Sequence, residues 1–208
     1  MINDDRPGIE KHIWKAFESF QNLDMEDALY QIAPAIDVTA KKRYPNKRKV
    51  GERIKAFIFD EQTLIYYLST QGRIMPEGIR MVIVDENTNK PVGNYPDHAG
   101  ELADFIYHNI RCAQSHDAKI DYSLIDIGRE FGIGRVTFEN DGCSLKPGIF
   151  VISKATVLAL ILSVVCSPEN EEIRLSGDLE LYNRITLSWA NLVGNKKYLM
   201  ETLFQLFN

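Results

Sequence analysis

The chain has 208 residues, 45% of them hydrophobic and 25% charged, with a formal net charge of −5. These values allow a sizeable buried core and exclude indiscriminate nucleic-acid binding by the whole surface. Cys112, Cys143 and Cys166 are odd in number and lack C-x-x-C spacing, so neither a disulfide framework nor a zinc site follows, and a reducing cytoplasm is the expected compartment.

The opening MINDDRPGIEKH has no basic run followed by an apolar one, so no secretory leader is expected. Ile9, Ile13, Trp14, Phe17 and Phe20 recur at helical spacing and predict a helix over 8–22. His12, on this stretch, reads as a surface residue. Asn22 and Asp24 break the pattern, and Asp24 offers an N-cap to a helix over 25–43. Ala28, Leu29, Ile32, Ile36 and Thr39 line one face of it. Pro34 is expected to kink it, because proline lacks the amide donor and crowds the preceding turn. After Tyr44-Pro45-Asn46, a third helix is predicted over 48–69 through Val50, Ile54, Phe57, Ile58, Leu64, Ile65 and Leu68.

Residues 70–95, punctuated by Gly72, Pro76, Gly78, Pro91 and Gly93, read as an irregular insertion in which 81–84 is a brief strand or part of a loop and 85–90 a polar turn. Pro96-Asp97 then suits a helix start, and Ala99, Leu102, Ala103, Ile106, Ile110 and Ala113 carry the helix to about 116. Gly128, Gly132 and Gly134 mark loops, and 135–152 reads as a β-hairpin with a long turn. Ser153 is placed to cap a helix over 154–166. Its apolar run is too short for a bilayer, which needs about 20 residues, so it belongs in the core. Two more helices, 178–193 and 195–207, are predicted on either side of Gly194-Asn195. The expected fold is therefore mostly α: one helical bundle over 1–208 with a small β-hairpin and an irregular insertion.

Charge is unevenly spread. Lys41, Lys42, Arg43, Lys47, Arg48, Lys49, Arg53 and Lys55 face Glu52 alone, so 41–55 carries +7 and the remainder −12. A basic patch on an acidic body suits a phosphate-bearing partner that docks at one place. A solvated helix end and turn is the alternative reading.

The run Arg111-Cys-Ala-Gln-Ser-His116 ends the 97–116 helix and sets a permanent cation five residues from a side chain that titrates near neutral pH. Imidazole can move a 2′-hydroxyl proton while guanidinium holds the phosphate that gathers charge. On a continuous helix the two side chains point ~140° apart with ~7.5 Å of rise, so a shared phosphate requires a helix end or bend, or two chains meeting across a two-fold axis. The plain alternative is that both residues cap a helix C-terminus, where cations meet exposed carbonyls.

This run resembles the R-x4-6-H signature of the HEPN superfamily of helical ribonucleases and nucleotide-binding modules. The likeness extends to AF…DALYQIAPAIDVTAKKRYP…KVGERIKAFIFDE over 16–61 and to FIYHNIRCAQSHDAKI over 105–120. The resemblance implies a homodimer whose paired helices build one cleft, with Arg111 on the scissile phosphate and His116 as general acid or base. His108 and Asn109 would line the cleft, and Lys47, Arg48 and Lys49 would bind RNA. It implies cleavage to a 2′,3′-cyclic phosphate and a 5′-hydroxyl, with no metal or cofactor. A toxin–antitoxin or phage-defence setting with a partner protein also comes from the resemblance. Cys112 departs from the polar residue that usually follows the arginine in catalytic members. The rival reading is a non-catalytic HEPN-like nucleotide-binding or protein-interaction module.

Other signals are weak. No acid–histidine set has metal-ligand spacing, Gly132-Ile-Gly134 lacks a dinucleotide frame and reads as a loop, and no membrane association is expected. Tyr66, Tyr67, Tyr95, Tyr107 and Tyr122 could stack bases, but tyrosines at helical spacing more often serve core or interface.

Overall fold

The structure, a computed structural model, describes residues 8–72, 84–85, 90–91, 102–103, 106–107, 125–126, 133–136, 139–140, 144–145 and 149–207. The described chain is mostly helical, with short strands. Helices α1 (Gly8–Gln21), α2 (Met25–Arg43) and α3 (Val50–Ser69) follow one another closely. They pack with α4 (Lys154–Val165), which contacts all three.

α4 organises the core. Every residue from Ala155 to Val165 is buried, so the helix has no polar face. Its β-branched residues Val157, Ile161, Val164 and Val165 each disfavour helix by a few tenths of a kcal/mol, about 0.7 at most. Burying each side chain returns about 1.5–3 kcal/mol, so enclosure rather than local propensity makes this segment helical.

Capping follows the sequence. The Asp24 carboxylate accepts from the Asp27 amide at 3.0 Å, and the Ser153 hydroxyl accepts from the Thr156 amide at 3.1 Å. The Thr156 hydroxyl donates to Ser69 Oγ at 2.9 Å, and Ser69 donates to the Ile65 carbonyl at 2.6 Å. This buried hydroxyl chain ties the start of α4 to the end of α3. α2 runs without a break through Pro34.

In the 70–95 region, strands β1 (Val84–Asp85) and β2 (Lys90–Pro91) pair antiparallel, with Asp85 opposite Lys90. Farther on are β3 (Ile125–Asp126), β4 (Ile133–Val136), β5 (Glu139–Asn140), β6 (Ser144–Leu145) and β7 (Ile149–Ile152). β7 is the central strand of three, parallel to β3 and antiparallel to β4. β5 and β6 pair antiparallel within the β4–β7 excursion. The expected hairpin is present. Gly134, expected in a loop, instead lies in β4 opposite Val151, because ladder pairing with β7 overrides its weak strand preference.

The predicted helix over 178–193 is corrected. Strands β8 (Asp178–Leu181) and β9 (Ile185–Ser188) form an antiparallel hairpin, followed by the single-turn α5 (Trp189–Leu192) and by α6 (Lys196–Phe207). Leu179, Leu181 and Leu187 point inward with a period of two. Tyr182 and Asn183 take φ of 55° and 52°, a left-handed turn whose twist suits a hairpin. The Tyr182 hydroxyl donates to the Leu68 carbonyl at 2.9 Å, docking the turn on the end of α3.

Asn tolerates the left-handed region and a β-branched residue does not. Asn183→Val is therefore expected to lower stability by about 1–2 kcal/mol in urea unfolding, while Asn183→Gly leaves it unchanged or slightly higher. Equal losses in both variants would show that the turn does not need its positive φ.

Candidate functional site

Arg111, His116, His108 and Asn109 lie outside the described residues, as do Cys112 and Cys143. The approach to them is described. Leu102 and Ala103 are helical, and Ile106 and Tyr107 lie in a wider, π-type turn. Leu102, Ala103 and Ile106 are buried in the same core cluster as α1–α4, and the rest of the helix predicted over 97–116, Tyr107 apart, lies outside the described residues. Tyr107 is half-buried and leans on α3. Its ring meets the α3 backbone at Gly51, and the Lys55 ammonium sits 5.9 Å from the ring centroid. Gly51 and Lys55 are four residues apart on α3 and share one face.

The basic run 41–55 does not act as one patch. Arg53 is taken up by Asp37, with Nη2 at 2.7 Å and Nε at 2.8 Å from Oδ1. Lys42 donates to the Glu169 carbonyl at 3.0 Å and pairs with Glu172. Arg43 is enclosed among acids. By contrast Lys41, Lys47, Arg48 and Lys49 are exposed. Lys47 stands 5.8 Å from the Tyr44 ring centroid. Lys49 pairs with Glu52 at 3.1 Å, with both side chains more than half exposed, a contact a phosphate can replace at little cost. The expectation of a single +7 face is thus corrected: Lys42, Arg43 and Arg53 hold the fold, and Lys47, Arg48 and Lys49 stay at the surface.

Arg43, on the last turn of α2, centres a buried ion cluster. Its Nε and Nη2 grip Glu169 at 2.9 and 3.0 Å, Nη1 donates to Glu61 at 2.7 Å, and Nη2 donates to the Ser167 hydroxyl at 2.7 Å. The guanidinium also lies 4.7 Å from the Phe57 ring centroid. Glu61 is only 1% exposed, and its second oxygen accepts no hydrogen bond of regular geometry but meets the Lys196 ammonium at 2.8 Å. The Asp60 carboxylate stands 3.8 Å from Nη1 as well, so three acids and two bases meet where α2, α3, the turn after α4 and the start of α6 converge.

The electrostatics agree. Burial acts to lower the Arg43 pKa, but hydrogen bonds to Glu169 and Glu61 outweigh it and raise it. Burial acts to raise Glu169, but hydrogen bonds from Arg43 and Ser167 hold it down at about 2. Tyr44 is pushed up to about 12 by burial and by its hydrogen bond to Asp60. Cys166 is fully buried, and burial followed by the charge of Glu61 raises its thiol pKa, so it is no nucleophile. The cluster is a partly buried clamp whose charges are paired with one another.

Sequence reasoning missed Glu61, although a signal existed. It falls among Phe57, Ile58, Leu64 and Ile65, on the apolar stripe of α3, where an ionised side chain needs a buried partner. It also missed the Gly51–Tyr107 contact. His12, expected at the surface, is half-buried because α2 packs on α1, and burial lowers its pKa. Among the described residues no helix is long and apolar enough to cross a membrane.

A family model described as Rv1289 matches residues 8–201. No curated protein and no solved structure matches the chain.

Removing one partner of a buried pair leaves its counter-charges uncompensated. Glu61→Gln is expected to destabilise the protein by about 3 kcal/mol or more in urea unfolding, with Arg43 and Lys196 stranded. A loss below about 1 kcal/mol, the range of an exposed pair, would contradict this account of the clamp. Because the Glu169 pKa is depressed on folding, its stabilisation is full above pH 4.5 and is lost as pH falls toward about 2. Glu169→Gln should flatten the acid limb of stability measured across that window, and an unaltered limb would assign the acid sensitivity to other carboxylates.

Proposed function

The chain belongs to the Rv1289 family, and we propose that it is a metal-independent endoribonuclease of HEPN type, acting as a cytoplasmic homodimer. The observation that supports this reading is the docking of the stretch ahead of the motif. Leu102, Ala103 and Ile106 are buried in the bundle, and Tyr107, four residues before Arg111, rests on the first turns of α3. Directly before that contact in sequence stand exposed Lys47, Arg48 and Lys49. Exposed cations just ahead of that contact in sequence suit a polyanion, whereas those engaged in the fold do not.

The chemistry uses the chain's own groups. His116 takes the proton from a 2′-hydroxyl as its oxygen attacks phosphorus, and the P–O5′ bond breaks as the leaving oxygen gains a proton. Arg111 neutralises the phosphorane oxygens that gather charge. The products are a 2′,3′-cyclic phosphate and a 5′-hydroxyl. Side chains five residues apart on a regular helix diverge by ~140°, so in this reading the shared phosphate lies where the helix ends or bends or, as the resemblance implies, between two copies that each supply the same patch. The unpaired, buried Cys166 suits a reducing compartment. By resemblance, the setting is toxin–antitoxin or phage defence, with a partner protein that restrains the enzyme.

Cleavage of a generic RNA should persist in EDTA and fall at least about 100-fold in His116→Ala. Cleavage that survives this substitution, or that chelation abolishes, would refute the mechanism; binding without cleavage would favour the nucleotide-binding module. Replacing Lys47, Arg48 and Lys49 by Ala should reduce the slope of log affinity against log salt by about 2, at roughly 0.7 per cation lost on single-stranded RNA. An unchanged slope would return these residues to the solvated surface.

A further inference from the structure

The turn between α2 and α3 sets a half-buried aromatic ring among exposed cations. Tyr44 caps α2: its N–H donates to the Ala40 carbonyl at 2.9 Å, and its carbonyl accepts from the Lys47 N–H at 3.0 Å, closing a turn through Pro45 and Asn46. Its hydroxyl donates to the Asp60 carboxylate and lies 3.4 Å from the Ala56 carbonyl, both on α3. Each of its polar atoms is thus engaged, which fixes the ring. Part of the ring packs on the core. Over it stands the Lys47 ammonium, 5.8 Å from the centroid and carried by an exposed side chain. Lys41, on the last turn of α2, and Arg48 and Lys49 are exposed on either side of the same turn in sequence. Asp60, the acid beside the ring, is countered by Arg43 Nη1 at 3.8 Å.

From this arrangement we infer that Tyr44 is a stacking platform for a base of single-stranded nucleic acid, with Lys41, Lys47, Arg48 and Lys49 holding the phosphates beside it. The inference deepens the ribonuclease reading by naming the strand state of its substrate, and rests on that reading for the choice of RNA. A ring fixed before binding loses no rotamer freedom when a base lands on it. Lys47 leaves the ring for a phosphate as the base arrives, so a surface cation–π contact is exchanged for a stack and an ion pair. A duplex offers the ring no base face, because its bases are already stacked on one another. An acidic peptide satisfies the cations and leaves the ring unused. The ring therefore favours single strands, with little regard to sequence, since every base has a π face.

The test uses the full chain and a 2′-O-methyl oligouridylate of about 12 nucleotides, a single strand whose blocked 2′ oxygens prevent in-line cleavage. A duplex of the same length and polyglutamate serve as comparison ligands. Tyr44→Leu should weaken binding of the single strand by about 5- to 150-fold, the worth of one base–aromatic stack, and binding of the other two by less than about twofold. Its slope of log affinity against log salt should stay at the wild-type value, because a stack releases no counterions. Tyr44→Phe, which keeps the ring and gives up the hydroxyl, should stay within about threefold of wild type. Ring NMR signals of the nine tyrosines, with Tyr44 assigned through Tyr44→Phe, read the contact without a destabilised variant. The Tyr44 signal should move upfield when the single strand is added and stay in place with polyglutamate. No binding of the strand, binding with the Tyr44 signal unmoved, or equal losses for all three ligands in Tyr44→Leu would each overturn the platform. A shifted Tyr44 signal in a chain that cleaves no RNA would support the platform and refute the ribonuclease; RNA cleavage by a chain whose Tyr44 signal stays put would do the reverse.

Discussion

A helix with water-averse side chains on every side is stable only when other elements surround it, and α4 is such a helix. Its enclosure dictates much of what else the chain must do. α1, α2 and α3 have to present apolar faces to it from different directions, and their connections have to be short enough to bring them together. The buried hydroxyl chain through Ser153, Thr156 and Ser69 satisfies polar groups where α4 enters the bundle, so that burial there costs no unpaired donor. At its other end the chain leaves α4 through Cys166 and Ser167 directly into the ion clamp.

That clamp explains why a strongly basic run can belong to an acidic protein without becoming one surface. Arg43 reaches Glu169, which lies 126 residues away in sequence, with both faces of its fork occupied. A bidentate guanidinium–carboxylate pair, a hydroxyl and a second carboxylate satisfy most of its donors, so burial is tolerated. Lys196 completes the cluster from the start of α6, which carries Leu199 and Leu203 into the core and sets Phe204 and Phe207 beside Tyr67. The C-terminal portion is therefore fastened by charge at one point and by aromatic packing at another. The cations around 47–49 stay exposed, and among the described residues they meet only the surface contacts of Tyr44 and Glu52.

The segment ahead of the Arg-x4-His run is positioned by two different forces. Leu102, Ala103 and Ile106 anchor it by apolar burial, which fixes which side faces inward but tolerates sliding. The aromatic ring against a glycine backbone is shorter-ranged and sets distance.

Much of this protein was legible as a string. The 3.6-residue recurrence of apolar side chains delivered α1, α2, α3 and α4 nearly to the residue, and Asp24 and Ser153 announced the caps they provide, because periodicity and capping act over a few neighbours. It misled at 178–193, where alternation of Leu179 and Leu181 around a left-handed Tyr182-Asn183 turn prevailed over a loosely helical apolar pattern. What only the tertiary structure decided was the fate of charges and of close approaches: which cations of 41–55 are consumed, that Glu61 is buried, and that the Tyr107 ring packs against Gly51. Those outcomes depend on partners brought together from distant parts of the chain, and a local pattern of residues carries no record of which distant side chain will arrive.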